Sequence, residues 1–161
     1  MILIWHMDCS LLTQMKTILI PLDLGVHTLS LLDYTVPMAA QANATLLLFH
    51  VIRRQPYDNG TFEPKTEVHQ RMKQEAEIIL NQLSRQTLER GVRSRVLVQD
   101  GSCNPAEAIV QCAKNIRADM IVMPRARGSD SCTSEKVLQS APCPVLAWTN
   151  GAPAHARRSI A

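Results

Sequence analysis

The sequence predicts an α/β fold, an open sheet of five parallel strands with helices on both faces. Three observations predict it. Short apolar runs bounded by turn residues recur at 16–24, 44–52, 92–100, 119–124 and 143–148, as buried strands do. The segments between them carry apolar residues at helical spacing. Strand and helix therefore alternate throughout, which argues for parallel strands joined by right-handed crossovers. A length of 161 residues suits one domain with short appendages. Aromatics make up only 4%, so Leu, Ile, Val, Ala and Met must build the core.

"KTILIPLDL" (16–24) is the first buried strand. "GVHTLS" is a turn, with Thr28 or Ser30 as the N-cap of the next helix. Over 29–43, Leu31, Leu32, Val36 and Ala39 or Ala40 fall at helical spacing. Pro37 inside that helix removes one backbone bond at roughly 3 kcal/mol, predicting a kink rather than a break. "ATLLLFHVI" (44–52) is the second strand and "RRQPYDNGTFEP" (53–64) a loop. A long helix covers 65–90, with Val68, Met72, Ala76, Ile79, Leu80, Leu83 and Thr87 on one face. Gly91 is placed to end it in the left-handed conformation.

"VRSRVLVQD" (92–100) is the third strand. Asn104 then caps a helix with Pro105 at its first position, and Ala106, Ile109, Val110 and Ala113 form its buried side. "DMIVMP" (119–124) is the fourth strand, "SEKVLQSA" a short fourth helix and "CPVLAW" the fifth strand. Residues 150–161 are small or basic and are predicted to be a disordered tail. Residues 1–14 are an N-terminal extension. Met15 stands directly before the first strand, and the start of the pattern there favours it as initiator over a genuine surface extension.

Several function classes are excluded. The net charge of +3 comes without a basic run or aromatic–basic interleaving, so nucleic acid is not a partner. Arg85, Arg90, Arg93 and Arg95 cluster at a helix end, where cations complement the dipole. The apolar run at the start is too short to span a membrane and lacks the parts of a secretory signal. Five cysteines without a CxxC pair argue against a disulfide framework and for a reducing cytoplasm. His6, His27, His50, His69 and His155 lack metal-ligand spacing, and no Walker lysine or GxSxG appears. His6, Asp8 and Cys9 in "HMDC" are an accidental grouping. Cys132 and Cys103, each near a helix start, are either redox-sensitive thiols or unreactive ones.

In open sheets of this kind ligands bind beyond the carboxyl ends of the strands. Asp23, Val51 to Arg53, and Pro124 to Ser131 stand at those ends. Asp23 either accepts bonds from a ribose or adenine, or closes its own turn. Arg125 and Arg127, with the hydroxyls of Ser129, Ser131, Thr133 and Ser134, either hold an anion at a helix N-terminus or form a solvated loop capped by Ser131.

Over residues 15–149 the chain resembles the universal stress protein family. "ILIPLD" resembles the family's first strand with its terminal aspartate, and "ATLLLFHVI" the second with its His-Val ending. "GSCNPAEAIVQCAKNIRADMIVMP" resembles the glycine–proline–helix segment that leads into an Ala-Asp-hydrophobic strand. "SEKVLQSAPCPVLAW" resembles the closing helix and strand. The resemblance implies a Rossmann-like sheet of the adenine-nucleotide-binding type. Some members bind ATP; others do not and act as stress-induced, non-enzymatic dimers. Binders use an aspartate after strand one, backbone groups at the end of strand two, and a loop of glycine, two residues, glycine, nine residues, then glycine followed by serine or threonine.

This chain departs from that loop. Its first glycine position is Pro124, and the second falls on Arg127 or, with a one-residue shift, Gly128. The final pair falls on Ser131 and Cys132, so the spacer shrinks to two or three residues. Without its glycines, such a loop does not let backbone N–H groups wrap a triphosphate. Asp23 and Val51 keep the adenosine half, leaving Arg125, Arg127, Gly128, Ser129 and Ser131 as the remaining candidates for the phosphate half. The last strand is expected at a sheet edge, and the resemblance implies dimerisation through it, with Val145 and Ala147 facing one way and Leu146 and Trp148 the other.

The expected function is a non-enzymatic cytoplasmic stress-response protein. It acts as a homodimer, requires no cofactor and binds ATP or AMP weakly at most. An ATP-binding member with a shortened loop and a thiol redox sensor are the alternative readings.

Overall fold

The computed structural model describes residues 15–53, 65–100, 104–125 and 131–149. The N-terminal extension, the loop after the second strand and the tail lie outside them. The described elements are β1 (Thr17–Pro21), α1 (Thr28–Ala42), β2 (Thr45–Ile52), α2 (Lys65–Glu89), β3 (Ser94–Asp100), α3 (Pro105–Ile116), β4 (Met120–Pro124), α4 (Ser131–Ser140) and β5 (Val145–Trp148). All strand pairs are parallel, in the order β3-β2-β1-β4-β5. The chain winds outward from β1 to β3, then crosses back to β4 and winds out the other way. Reversal of the winding puts α1 and α2 on one face and α3 and α4 on the other.

Alternation along each strand feeds both faces. Ile18, Ile20, Leu46, Leu48 and Val122 pack with Leu31, Val36 and Ala39 of α1 and Leu80 and Leu83 of α2. Leu19, Leu47, Phe49, Ile121 and Met123 pack with Ile109 and Ala113 of α3 and Val137 of α4. Strands covered on both faces are apolar at nearly every position, which is why β1, β2 and β4 read as unbroken runs. Met15 is buried in the first of these clusters.

Three helices end alike. Asn43, Gly91 and Arg117 take positive φ of 50°, 79° and 52°, and the residue after each donates its N–H back to Ala39, Thr87 and Ala113. These are the reverse bonds of a Schellman cap. Asn104 caps α3 as expected, accepting from the Ala106 N–H at 3.1 Å. Pro37 lies inside α1. It and Asp33, whose carbonyl it leaves without an N–H, both stand on the exposed side of the helix.

Some expectations are corrected. Neither Thr28 nor Ser30 caps α1: His27 stands at that position without a side-chain cap bond. The preceding turn is closed instead by the Thr28 N–H donating to the Gly25 carbonyl at 3.1 Å. The strand β1 stops at Pro21 and α4 begins three residues before the expected Ser134. On α2, Ala76, Leu80, Leu83 and Thr87 are buried, whereas Val68, Met72 and Ile79 are exposed. A helix of 25 residues is about 37 Å long, against about 26 Å for the eight residues of β2. Its first turns overhang the sheet, carrying Val68 and Met72 beyond the core.

Asp119 binds the two halves of the sheet at their base. One carboxylate oxygen accepts the N–H groups of Lys16 and Thr17 at 2.8 and 2.9 Å. Its own N–H donates to the Thr17 carbonyl at 2.9 Å. Asp119→Ala is expected to cost about 1–2 kcal/mol in urea unfolding, because two strand N–H groups lose a charged acceptor. Asp119→Asn, which keeps an oxygen there, is expected to cost less; equal stability of all three proteins would refute the clamp.

Candidate functional site

Strands β1 and β4 pair only through Ile18–Met120 and Leu19–Ile121. Above that short ladder, at the point where the winding reverses, the carboxyl ends of the strands open into a cleft of about 820 Å³. Such a volume suits a small organic ligand. Its walls come from all four central and right-hand strands: Asp23 after β1, His50 to Arg53 at the end of β2, Pro124 and Arg125 at β4, Trp148 and Thr149 at β5. His27 and Met72 close one side. Pro105, Ile109, Thr133 and Ser134 close the other.

The local chemistry of each wall differs. Asp23 is exposed, and its Oδ1 accepts the Gly25 N–H at 2.8 Å. It therefore closes its own turn while lining the cleft. Gly25 lets its backbone approach the carboxylate closely, since a Cβ there would stand 3.2 Å from Oδ1 and the carboxylate would have to give way slightly. His50 Nδ1 lies 2.7 Å from the Leu22 carbonyl. That contact makes Nδ1 the protonated nitrogen and, in the neutral ring, leaves Nε2 as an acceptor. It also ties the end of β2 to the turn that carries Asp23. Near the outer edge, His69 Nε2 lies 2.6 Å from Asp100 Oδ1, joining α2 to the end of β3.

The β4 wall is poor in backbone donors. Pro124 has no N–H, and the Arg125 N–H donates to the Trp148 carbonyl at 2.7 Å. Both groups that would face a phosphate at this point are absent or already used. Arg127, Gly128 and Ser129 lie outside the described residues. Ser131 opens α4, although nothing is described of its side chain.

Of the residues singled out in the sequence, Asp23, Val51 and Arg125 come together at the cleft. Val145, Leu146, Ala147 and Trp148 form β5, which among the described residues pairs only with β4 and so stands at the edge of the described sheet. All four are half-buried. Val145 packs on the α3–α4 face, and Leu146 and Trp148 on the α1–α2 face. Trp148 also lines the cleft, which its assignment to the edge did not foresee. Arg53 was visible at a strand end but carried no role. Its signal was its position, one residue past β2.

The thiols described here are quiet. Burial pushes Cys112 up from 9.0 to about 11. Cys143 is raised to about 11 by burial and then by the negative charge of Asp119. Cys103 and the Cys132 side chain, on which the redox reading rested, lie outside the described residues. Among the described residues no group of three or more His, Cys, Asp or Glu could hold a metal ion, and no helix is long and apolar enough to cross a membrane.

In the folded protein, labelling of Cys112 and Cys143 at pH 8, mapped by mass spectrometry, is expected to run at least about 100-fold slower than in urea. A rise of two units lowers the thiolate fraction by that factor. The sign for stability follows: both thiols keep their protons in the folded state, so stability is full below about pH 9 and falls as pH rises towards 11. Labelling at the urea rate would contradict the burial.

No curated protein matches the chain in sequence. A protein from the universal stress protein family from Burkholderia pseudomallei is 27% identical, with a TM-score of 0.68 over 89% of this chain and 98% of that one. The universal stress protein UspA from Lactobacillus plantarum is 20% identical, with a TM-score of 0.70 over 82% and 96%. A universal stress protein family protein from Arabidopsis thaliana, solved with AMP bound, is 19% identical, with a TM-score of 0.64 over 87% and 97%. The model of the universal stress protein family matches residues 15–148. That span runs from the core residue Met15 to the edge residue Trp148 and takes in every described element. The chain belongs to the universal stress protein family.

Proposed function

We propose that this protein is a non-enzymatic stress-response protein that works as a homodimer, and that its cleft takes the adenosine part of a nucleotide while holding a triphosphate weakly. The observation that carries this is the β4 wall: Pro124 offers no N–H, and that of Arg125 is spent on Trp148. A triphosphate held by backbone N–H groups needs them free at this point. The adenosine side keeps its aspartate and its strand-two backbone at Asp23 and Val51. The Arabidopsis thaliana protein of the same fold carries AMP, which supports an adenine nucleotide as the ligand class. Five cysteines without a pairing pattern favour the cytoplasm.

The homodimer reading rests on β5. An edge strand leaves a row of backbone groups without partners, and natural proteins cover or pair such edges. Val145, Leu146, Ala147 and Trp148 are only half-buried, which leaves apolar surface for a second copy.

Calorimetric titration is expected to show adenosine binding that Asp23→Ala weakens about ten-fold, with no gain from the outer phosphates of ATP and Mg²⁺. Stoichiometric ATP carried through purification, or low-micromolar ATP affinity lost in Asp23→Ala, would overturn the weak-triphosphate reading. Sedimentation is expected to show a dimer that Val145→Lys converts to monomer by placing a charge at the edge. A monomeric wild type ends the dimer reading.

A further inference from the structure

We infer that Arg53 and Arg125 together hold a single phosphate group with their side chains, making the cleft a site for a nucleoside monophosphate. The inference rests on the adenosine reading and names the ligand more closely. Arg53 directly follows β2 and Arg125 directly follows β4. These strands flank β1 on either side, and the register carries Arg53 two residues further along than Arg125, so their backbones stand about 12 Å apart. Two extended arginine side chains span that gap between them. Asp23 after β1 lies in the middle, and all three line the one cleft.

Both arginines are exposed, and neither forms an ion pair among the described residues, where the pairs are His69–Asp100 and Arg90–Asp33. Their charge is thus available. Two guanidiniums against the one carboxylate of Asp23 give these three groups an excess of one positive charge. Thr133, in the first turn of the ten-residue α4, brings a hydroxyl and the positive end of a helix to the same wall. A guanidinium presents paired donors that match phosphate oxygens. Side chains therefore supply what the β4 backbone lacks, but two arginines serve one phosphate and leave the second and third of a triphosphate without partners.

The test is calorimetry with adenosine, AMP and Mg·ATP on the full chain, its Arg53→Ala, Arg125→Ala and Arg53→Lys variants, at low and at physiological salt. AMP is expected to bind wild type at least about ten-fold tighter than adenosine, and ATP no tighter than AMP. Each alanine variant is expected to lose about ten-fold for AMP while adenosine affinity stays unchanged. Arg53→Lys is expected to recover part of the loss. The gap between AMP and adenosine is expected to narrow as salt rises. If adenosine binds but AMP binds no tighter, or if Arg53→Ala leaves the AMP-to-adenosine ratio unchanged, the arginine assignment is overturned and the adenosine reading stands. If wild type binds neither ligand, both fall together. Both arginines are exposed, so unchanged thermal midpoints are expected in all variants.

Discussion

The junction of β1 with β4 is the constraint on which the rest of this structure depends. It joins the half of the sheet that winds left to the half that winds right. Its ladder is short, with two residue pairs, and Asp119 reinforces it from below by gripping the N–H groups of Lys16 and Thr17. A junction bound at its base and open at its top has a definite consequence. Helices α1 and α2 leave on one side and α3 and α4 on the other, so none of the described helices covers the carboxyl ends between them. The cleft is what remains uncovered, and its place follows from the winding.

The chemistry of that cleft is set by which backbone groups the strands have already used. Parallel ladders consume N–H and C=O groups up to the last paired residue. On β4 the pairing runs to Pro124 against Trp148, and one further bond takes the Arg125 N–H. On β1 the pairing with β2 ends at Pro21 against Phe49, and the chain turns at once through Leu24, whose φ is 61°. Asp23 thus stands at a turn, at the cleft, with one carboxylate oxygen engaged by the Gly25 N–H. One wall presents a carboxylate, and the other has little backbone left to give. Side-chain cations at Arg53 and Arg125 are the groups best placed to answer a negative charge.

Trp148 connects two surfaces that sequence reasoning treats separately. It is the last residue of the edge strand, packs on the α1–α2 face of the core, and lines the cleft. A ligand in the cleft and a partner against β5 would both meet this residue or its neighbours. Under the proposed function, the β4–β5 pair is the part of the sheet that ligand binding and assembly would share.

Much of the fold was legible in the amino-acid order because it depends on local rules. Alternating runs and helical spacings define the elements, Asn104-Pro105 marks the start of α3, and Gly91 marks the end of α2. Runs as apolar as "ILIPL" and "MIVM" demand cover on both faces, which already implies helices on both sides. Asp23 and Val51 were legible too, as strand-end residues, and both line the cleft. What the sequence left open required the third dimension. The overhang of α2 beyond the sheet leaves Val68 and Met72 outside the core although they share its periodicity, because periodicity encodes direction and not length. The grouping of Arg53 with Arg125 joins residues 72 positions apart, brought together only because β2 and β4 flank β1. The use of the Arg125 N–H by Trp148 is a pairing between strands, and no local pattern records it. The sequence by itself determined the elements, the two-faced burial and the family. The tertiary structure decided which strand ends share the cleft and which of their donors remain free, because strand order and register arise from contacts between segments far apart in the chain.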